Sequence, residues 1–243
     1  MNKICGFIVI ALFSFALFIP SNTEAVMIYD NYIGSDDRGY GDVIGNPNSF
    51  GIDWLDVSIT GDQMNVMIKT SYPGFDTLGA GTEYGDFFVS TNGWNPYGTA
   101  PYVADNSANG EVWEYAFDVQ TGVLYDITKA QSNILLAEDT MPSTGYVFRT
   151  GQETAIDTTG LTVYSTTTSG GGTYDGPYYS FLIDISGLNW DLSDLGFHWA
   201  SATCANDVLE GSAAPVPEPA TMLLLGTGLI GLAGFGRKKI KKK

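Results

Sequence analysis

The sequence predicts an all-β fold: an antiparallel β-sandwich of jelly-roll-like type, with an N-terminal signal helix and a C-terminal single transmembrane helix. Short runs of alternating apolar and polar residues recur about every ten to fifteen residues between turn signals. Gly, Thr, Ser, Tyr, Asn and Asp are abundant between the two ends, whereas Lys and Glu are scarce there. This composition favours strands and turns. A sandwich follows because no long amphipathic helical pattern interrupts the strands.

The N-terminus has the three-part pattern of a secretory signal peptide. Lys3 gives a positive start, residues 4–19 are apolar, and Pro20 precedes a short polar region that ends in a small residue, Ala25. We expect signal peptidase to cleave between Ala25 and Val26; an uncleaved signal anchor is the alternative. Cleavage leaves Cys204 as the only cysteine, so no internal disulfide is expected and the thiol is predicted to be buried.

The strand pattern is clearest around residues 54–69. Val57 and Ile59 alternate with polar residues, and the apolar positions of residues 64–68 do the same after a turn at Gly61 and Asp62. This arrangement predicts a β-hairpin with one face directed inward. One helix is predicted at residues 128–138. Further strands are predicted at residues 86–90, 112–119, 122–127, 145–149, 161–164, 178–185 and 195–200.

The C-terminus carries a second signal of a different kind. Pro217, Glu218 and Pro219 form an extended segment that a protease can hold, because proline cannot donate a backbone hydrogen bond. The apolar residues 221–236 follow, and they would span about 24 Å as a helix. The segment ends in a basic cluster that is predicted to stop transfer and stay in the cytoplasm, and it begins with Arg237, Lys238 and Lys239. A plain tail anchor is the alternative.

These three features, in this order, resemble the PEP-CTERM sorting signal that exosortases process. The resemblance covers about the last 30 residues. It implies a Gram-negative bacterium that produces exopolysaccharide. It also implies a transient stay in the inner membrane, cleavage near Pro217 to Pro219, and release to the cell surface or extracellular matrix. The predicted organisation is therefore a signal peptide at residues 1–25, a sandwich domain at 26–211, and a linker plus sorting tail at 212–243.

Two internal segments also look like parts of the exosortase-dependent surface proteins that carry such tails. They are GDFFVSTNGWNP at residues 85–96 and FHWASATCANDVLEG at residues 197–211. The second segment lies just before the tail, as it does in those proteins. This resemblance implies no activity that can be carried over to the chain.

The charge of the mature domain limits its partners. Between Val26 and Ala214 only four Lys and Arg stand against 25 Asp and Glu, which gives a net charge of −21. Such a surface repels phosphate backbones, so nucleic acid is not expected as a partner. The charge suits a soluble extracellular protein, or one that binds divalent cations through carboxylates.

The glycine-rich segment 34–42 is the best candidate metal site. Asp36, Asp37 and Asp42 offer the oxygen ligands that calcium prefers, although the spacing is not that of an EF-hand. The alternative is a solvated acidic turn. A weaker candidate lies at Asn206 and Asp207 together with Glu210. No cofactor other than calcium is predicted, because the chain lacks the His and Cys clusters of transition-metal sites.

Exposed aromatic residues could stack on sugar rings. Trp94 and Tyr97, in a loop rich in turn residues, are the predicted stacking pair, with packing within the loop as the alternative. The other four tryptophans lie in or beside strand patterns and are predicted to be in the core: Trp54, Trp113, Trp190 and Trp199.

No catalytic residue is predicted. His198 is the only histidine and lies in a strand pattern, and no G-x-S-x-G motif is present. The sequence therefore favours a non-enzymatic surface or matrix protein that associates with exopolysaccharide in a biofilm. The first alternative is a calcium-stabilised carbohydrate-binding module, and the second is a glycan hydrolase that uses paired carboxylates.

Overall fold

The computed structural model describes residues 24–34, 41–74, 82–137, 149–167 and 171–212. Within these residues the chain is mostly β, with two large antiparallel sheets and one separate strand pair. A four-residue helix, α1 (Pro47–Phe50), precedes the second strand. The strands are β1 (Glu24–Tyr29), β2 (Ile52–Thr60), β3 (Gln63–Thr70), β4 (Phe87–Ser90), β5 (Tyr115–Asp118), β6 (Val123–Asp126), β7 (Ile134–Leu136), β8 (Glu153–Ile156), β9 (Thr162–Thr166), β10 (Thr173–Asp175), β11 (Tyr178–Asp184), β12 (Gly196–Ala200) and β13 (Val208–Ser212).

The strands are arranged mainly as meanders and hairpins. The five-stranded sheet has the order β1-β2-β3-β11-β10, and the six-stranded sheet has the order β13-β12-β4-β5-β6-β9. The pair β7-β8 is separate. The predicted all-β class is confirmed, and the two antiparallel sheets are consistent with the predicted sandwich.

The hairpin predicted at residues 54–69 is confirmed. Thr60 pairs with Gln63 across the two-residue turn, and Gly61 has a φ of 58°, a conformation that glycine adopts without steric cost. Val57 and Val66 are opposite each other and fully buried, as the alternation predicts.

The core joins the inner faces of the two large sheets. Phe117 of β5 stacks on Phe181 of β11 with ring centroids 5.0 Å apart. Phe87 of β4 contacts Phe181 edge-on and stacks on Phe197 of β12. Large aromatic rings bury much apolar area per residue. The two large sheets are therefore held together by a hydrophobic core.

Much of the outer face of the six-stranded sheet, over β4, β5 and β12, is buried as well. Phe88 and Ala116 point outward from β4 and β5, and they form a second apolar cluster with Trp113, Tyr125 and other residues. Ile156 of β8 belongs to this cluster, and Ile134 of β7 packs against it. The β7-β8 pair thus covers this face.

The helix predicted at residues 128–138 is wrong. Gln131–Asn133 form a single 3-10 turn, and β7 follows directly. Ile134 pairs with Ile156 of β8 and packs on the outer cluster. Tertiary pairing at this point outweighs the weak helical propensity of the segment.

The N-terminal processing site lies at the edge of the described structure. β1 includes Ala25 and Val26, so the predicted cleavage would remove its first two residues and keep the pairing of Val26 with Val57. The described residues contain no helix that is long and apolar enough to cross a membrane. Residues 1–23 and 213–243, with both predicted hydrophobic segments, lie outside the described residues.

The buried carboxylate of Asp86 links the β7-β8 pair to the six-stranded sheet. Asp86, just before β4, accepts hydrogen bonds from the backbone N–H of Val119 at 3.1 Å and of Ile156 at 2.9 Å. Burial, and to a lesser extent the negative charge of Asp118, raises the pKa of Asp86 to about 8. The folded protein therefore holds a proton at this carboxyl group that the unfolded chain releases near pH 4.

This shift predicts that the protein loses stability as the pH rises from about 4 to about 8. The folded state binds more protons than the unfolded state in that range, so Asp86 lowers the free energy of unfolding by up to about 1.4 kcal/mol per pH unit. In Asp86→Asn the decline should be less steep, although the variant is less stable overall. Urea denaturation at pH 5, 6, 7 and 8 measures both slopes, and equal slopes would contradict the assignment.

Candidate functional site

Three carboxylates from distant parts of the chain meet at one end of the sandwich. Asp30 follows β1, Asp42 lies in the loop before α1, and Asp207 immediately precedes β13. One oxygen from each lies within 4.8 Å of the others. We call these three residues the acidic cluster. Asp207 is fully buried and accepts hydrogen bonds from the N–H of Ile52 at 2.6 Å and of Val208 at 3.0 Å.

Burial and mutual repulsion raise the pKa values of two carboxyl groups in the acidic cluster. Burial raises the pKa of Asp30 to about 7, and the nearby Asp42 carboxylate adds to the effect. Burial also raises the pKa of Asp207 to about 8, and the charge of Asp30 contributes. Asp30 Oδ1 is buried and lacks a hydrogen-bond partner among the described residues. A bound cation would relieve both the repulsion and the missing contact.

Arg149 holds the loops of the acidic cluster together. Its side chain is 1% exposed and donates hydrogen bonds to backbone carbonyl groups rather than to carboxylates. The acceptors lie in three segments: Ile33, Gly34, Asp42, Ala205 and Asn206. The positive charge lowers the pKa values of Asp30 and Asp207, but less than burial raises them.

One member of the acidic cluster belongs to the main calcium site that the sequence predicted at residues 34–42. Of the predicted calcium ligands, Asp42 joins the cluster, while Asp36 and Asp37 lie outside the described residues. Asp207, which the sequence placed in a weaker candidate with Glu210, is the second member. Asp30 was missed, because it is a single acid after a strand and no local motif marks it.

A second group of ionisable residues lies under the covering strand β8. Glu153 of β8, His198 of β12 and Glu210 of β13 each place one potential ligand atom within 4.8 Å of the others. We call these three residues the histidine cluster. His198 and Glu210 are cross-strand partners, and their Nδ1 and Oε1 atoms are 2.8 Å apart. His198 Nε2 is 2.7 Å from the carbonyl oxygen of Glu153. All three residues are at most 4% exposed.

The buried environment changes the protonation of the histidine cluster. Burial raises the pKa of Glu153 to about 7, against the opposing effect of His198. For His198, burial alone would lower the pKa, but its contacts with Glu210 and Glu153 together raise it. Two aromatic rings enclose the imidazole, those of Phe88 and Trp113, each with its centroid 5.5 Å away.

A further buried carboxylate, that of Asp105, interacts electrostatically with the histidine cluster. Asp105 is 2% exposed. Burial, and to a lesser extent the negative charge of Glu210, raises the pKa of Asp105 to about 6, against the opposing effects of backbone hydrogen bonds from Tyr97 and Asn106 and of the charge of His198.

The predicted stacking residues occupy the loop next to this group. Trp94 is half-buried, donates its indole N–H to Glu210 Oε2 at 3.1 Å, and meets Tyr102 edge-on at 5.1 Å. Tyr97 is 52% exposed. Glycan stacking by Trp94 and Tyr97 stays a prediction, although the ring and the N–H of Trp94 already have partners within the protein.

The open face of the five-stranded sheet carries a different set of aromatic residues. Tyr29 of β1 is opposite Trp54 of β2, Trp54 is opposite Lys69 of β3, and Lys69 is opposite Tyr178 of β11. The rings of Trp54 and Tyr178 are 5.9 Å apart. Tyr29 is 68% exposed and Tyr178 is 40% exposed. We call Tyr29, Trp54 and Tyr178 the aromatic row, which crosses three strand spacings, or about 14 Å.

The expectation that Trp54 lies in the core is wrong. Trp54 alternates with the buried Leu55 on β2, so its side chain points away from the core and is half-buried on the outer face. Trp113 and Trp199 are at most 1% exposed, as predicted, and Trp190 packs partly buried against the core. Cys204 is buried, and its thiol contacts the side chain of Asn206.

Comparison with known families identifies the C-terminal signal. Residues 215–238 match the PEP-CTERM protein-sorting motif. The resemblance seen in the sequence is therefore confirmed, and the motif implies an exported, cell-surface-sorted protein that an exosortase processes. Searches of curated proteins and of solved structures found no significant match. Pro217, Glu218, Pro219, Arg237, Lys238 and Lys239 lie outside the described residues.

Proposed function

We propose that this protein is a non-enzymatic component of the cell surface or extracellular matrix of a Gram-negative bacterium, where its sandwich domain associates with exopolysaccharide in a biofilm. The aromatic row on the open sheet face is the observation that carries the proposal. Signal peptidase and exosortase act on the two ends, and the C-terminal helix holds the chain in the inner membrane until it is cleaved.

The geometry of the aromatic row suits a sugar chain. Aromatic faces pack against the C–H faces of pyranose rings, and a row that crosses neighbouring strands presents several such faces in line. Met27, 44% exposed, and Leu182, 38% exposed, extend the apolar surface on the same face. Because the mature domain has a net charge of −21, a neutral polysaccharide is favoured over an anionic one.

The burial of the acid–base groups supports a non-enzymatic role. His198, Glu153 and Glu210 are at most 4% exposed, and β8 lies over them. A general acid or base must come within hydrogen-bond reach of its substrate. These groups have no such access, so the support for a glycan hydrolase from this cluster is weak.

The aromatic row predicts which substitutions weaken polysaccharide binding. Trp54→Ala and Tyr178→Ala should each reduce affinity roughly 2- to 10-fold, because each removes one stacking face. Binding is measured by co-sedimentation with polysaccharide prepared from the matrix of the host cells. Val163→Ala, an exposed change on β9, is the control and should bind normally.

The Trp94→Ala variant tests whether the polysaccharide binds to the aromatic row or to the loop of Trp94 and Tyr97 that the sequence predicted. If Trp94→Ala abolishes binding and Trp54→Ala does not, the loop is the sugar site and the aromatic row is not. If wild-type protein does not sediment with any matrix polysaccharide, the proposed role is wrong.

The sorting tail predicts a processing defect. Replacing Pro217, Glu218 and Pro219 by alanine should prevent cleavage, so that the protein stays in the inner membrane fraction with Lys243 still attached. Cell fractionation and mass spectrometry of the C-terminal peptide measure this. Cells without exosortase should show the same retention, and normal release of the variant would contradict the proposed cleavage site.

A second candidate function is a calcium-stabilised carbohydrate-binding module. It is favoured by the meeting of Asp30, Asp42 and Asp207, and by the buried oxygen of Asp30 that has no described partner. Calcium takes oxygen ligands alone, and the carbonyl groups of the surrounding loops could add to the three carboxylates.

Calcium should raise the melting temperature if this cluster binds it. At free calcium 100-fold above Kd the stabilisation is about 2.7 kcal/mol, or about 5–10 °C for a domain of this size. Asp207→Asn should lose the shift, whereas Asp62→Asn, in the exposed β2-β3 turn, should keep it. Thermal unfolding with calcium and with a chelator measures both, and equal melting temperatures of wild-type protein in the two conditions exclude calcium.

A further inference from the structure

The histidine cluster has the donor set of a metal site. Glu153, His198 and Glu210 come from three strands, and each offers a ligand atom within 4.8 Å of the other two. A site assembled from β8, β12 and β13 is held by backbone pairing on two sides and has little freedom to spread apart.

The hydrogen bonding of His198 is that of a metal ligand. The carbonyl of Glu153 can only accept, so His198 Nε2 donates to it. In neutral imidazole the lone pair is then on Nδ1, which faces Glu210 Oε1 at 2.8 Å. Two acceptors at this distance repel unless a proton or a cation lies between them. A histidine ligand usually donates its other N–H to a backbone carbonyl or carboxylate in this way.

The charge of the site leads to the same conclusion. Two carboxylates are buried with one imidazole, and among the described residues the only ion pair made by any of them joins His198 and Glu210. When both carboxylates are ionised and His198 is neutral, the group carries −2, which a divalent ion offsets. Trp94 donates to Glu210 Oε2, and Trp113 lies beside Glu153, so both indoles can orient ligands from outside the site.

We propose that Glu153, His198 and Glu210 bind a divalent transition-metal ion of the zinc or manganese class. Mixed imidazole and carboxylate ligation suits these ions, whereas calcium takes oxygen alone. The ion is structural, since the site is closed to solvent. Because its ligands come from β8, β12 and β13, the ion links these three strands and stabilises the packing of the β7-β8 pair on the six-stranded sheet.

The test begins with the natural metal content of the protein. Full-length protein purified without chelators should contain about one transition-metal ion per chain by elemental analysis. The protein is then unfolded in urea with a chelator and refolded either with or without zinc. At free zinc 100-fold above Kd, the melting temperature of the zinc-loaded protein should be about 5–10 °C higher than that of the metal-free protein. His198→Gln and Glu210→Gln should each bind zinc at least tenfold more weakly. Asp62→Asn, in the exposed β2-β3 turn, should bind zinc normally.

A measurement on folded wild-type protein covers the case in which these variants do not fold. Cobalt added to the refolded, metal-free protein should quench tryptophan fluorescence, and zinc should reverse the quenching. Trp94→Phe should lose part of the quenching, because one of the tryptophans next to the site is gone. The proposal is overturned if wild-type protein takes up no ion, or if Asp207→Asn removes binding and Glu210→Gln does not. In either of these two outcomes, the short contact between His198 and Glu210 is bridged by a proton and not by a metal ion.

Discussion

Burial of both faces of the six-stranded sheet is the constraint on which the rest of the structure depends. The inner face packs on the other sheet, and β7-β8 covers part of the outer face. Strand alternation would otherwise have exposed His198 and Glu210 to solvent on that outer face. Once covered, these polar groups must find partners inside the protein, because a buried and unpaired charge is strongly destabilising. The carboxylates of Asp86, Glu153 and Asp105 are under the same constraint.

The two large sheets therefore have different roles. The six-stranded sheet holds the buried ionisable groups, which can contribute to stability but are poorly placed to meet a large substrate. The five-stranded sheet leaves its outer face open and presents Tyr29, Trp54 and Tyr178 there. In the proposed role, an open sheet face can contact an extended polymer without a cleft. This division of the two sheets is one reason for proposing a binding role.

Loops at one end of the two large sheets connect the acidic cluster with the histidine cluster. Arg149 links segments near β1, α1 and β13 through backbone carbonyl groups, and the acidic cluster lies among the same segments. Asn31, next to Asp30, exchanges two hydrogen bonds with the backbone of Glu210. The acidic and histidine clusters are thus joined through β13, and an ion bound at one would be expected to order the backbone that carries the other.

The sequence by itself determined the export signals, the all-β class and the β2-β3 hairpin. Each of these depends on local order: the Pro-Glu-Pro segment, the apolar stretch and basic end of the tail, the period-two alternation, and glycine at the turn. Only the tertiary structure decided which acids meet. Asp30, Asp42 and Asp207 are far apart in the chain, as are Glu153 and His198, and no local pattern records such proximity. Trp54 is a different case: with Val57 and Ile59 directed inward, alternation already places Trp54 on the opposite face, and only the packing of the sheets decided that this face is left partly open to solvent.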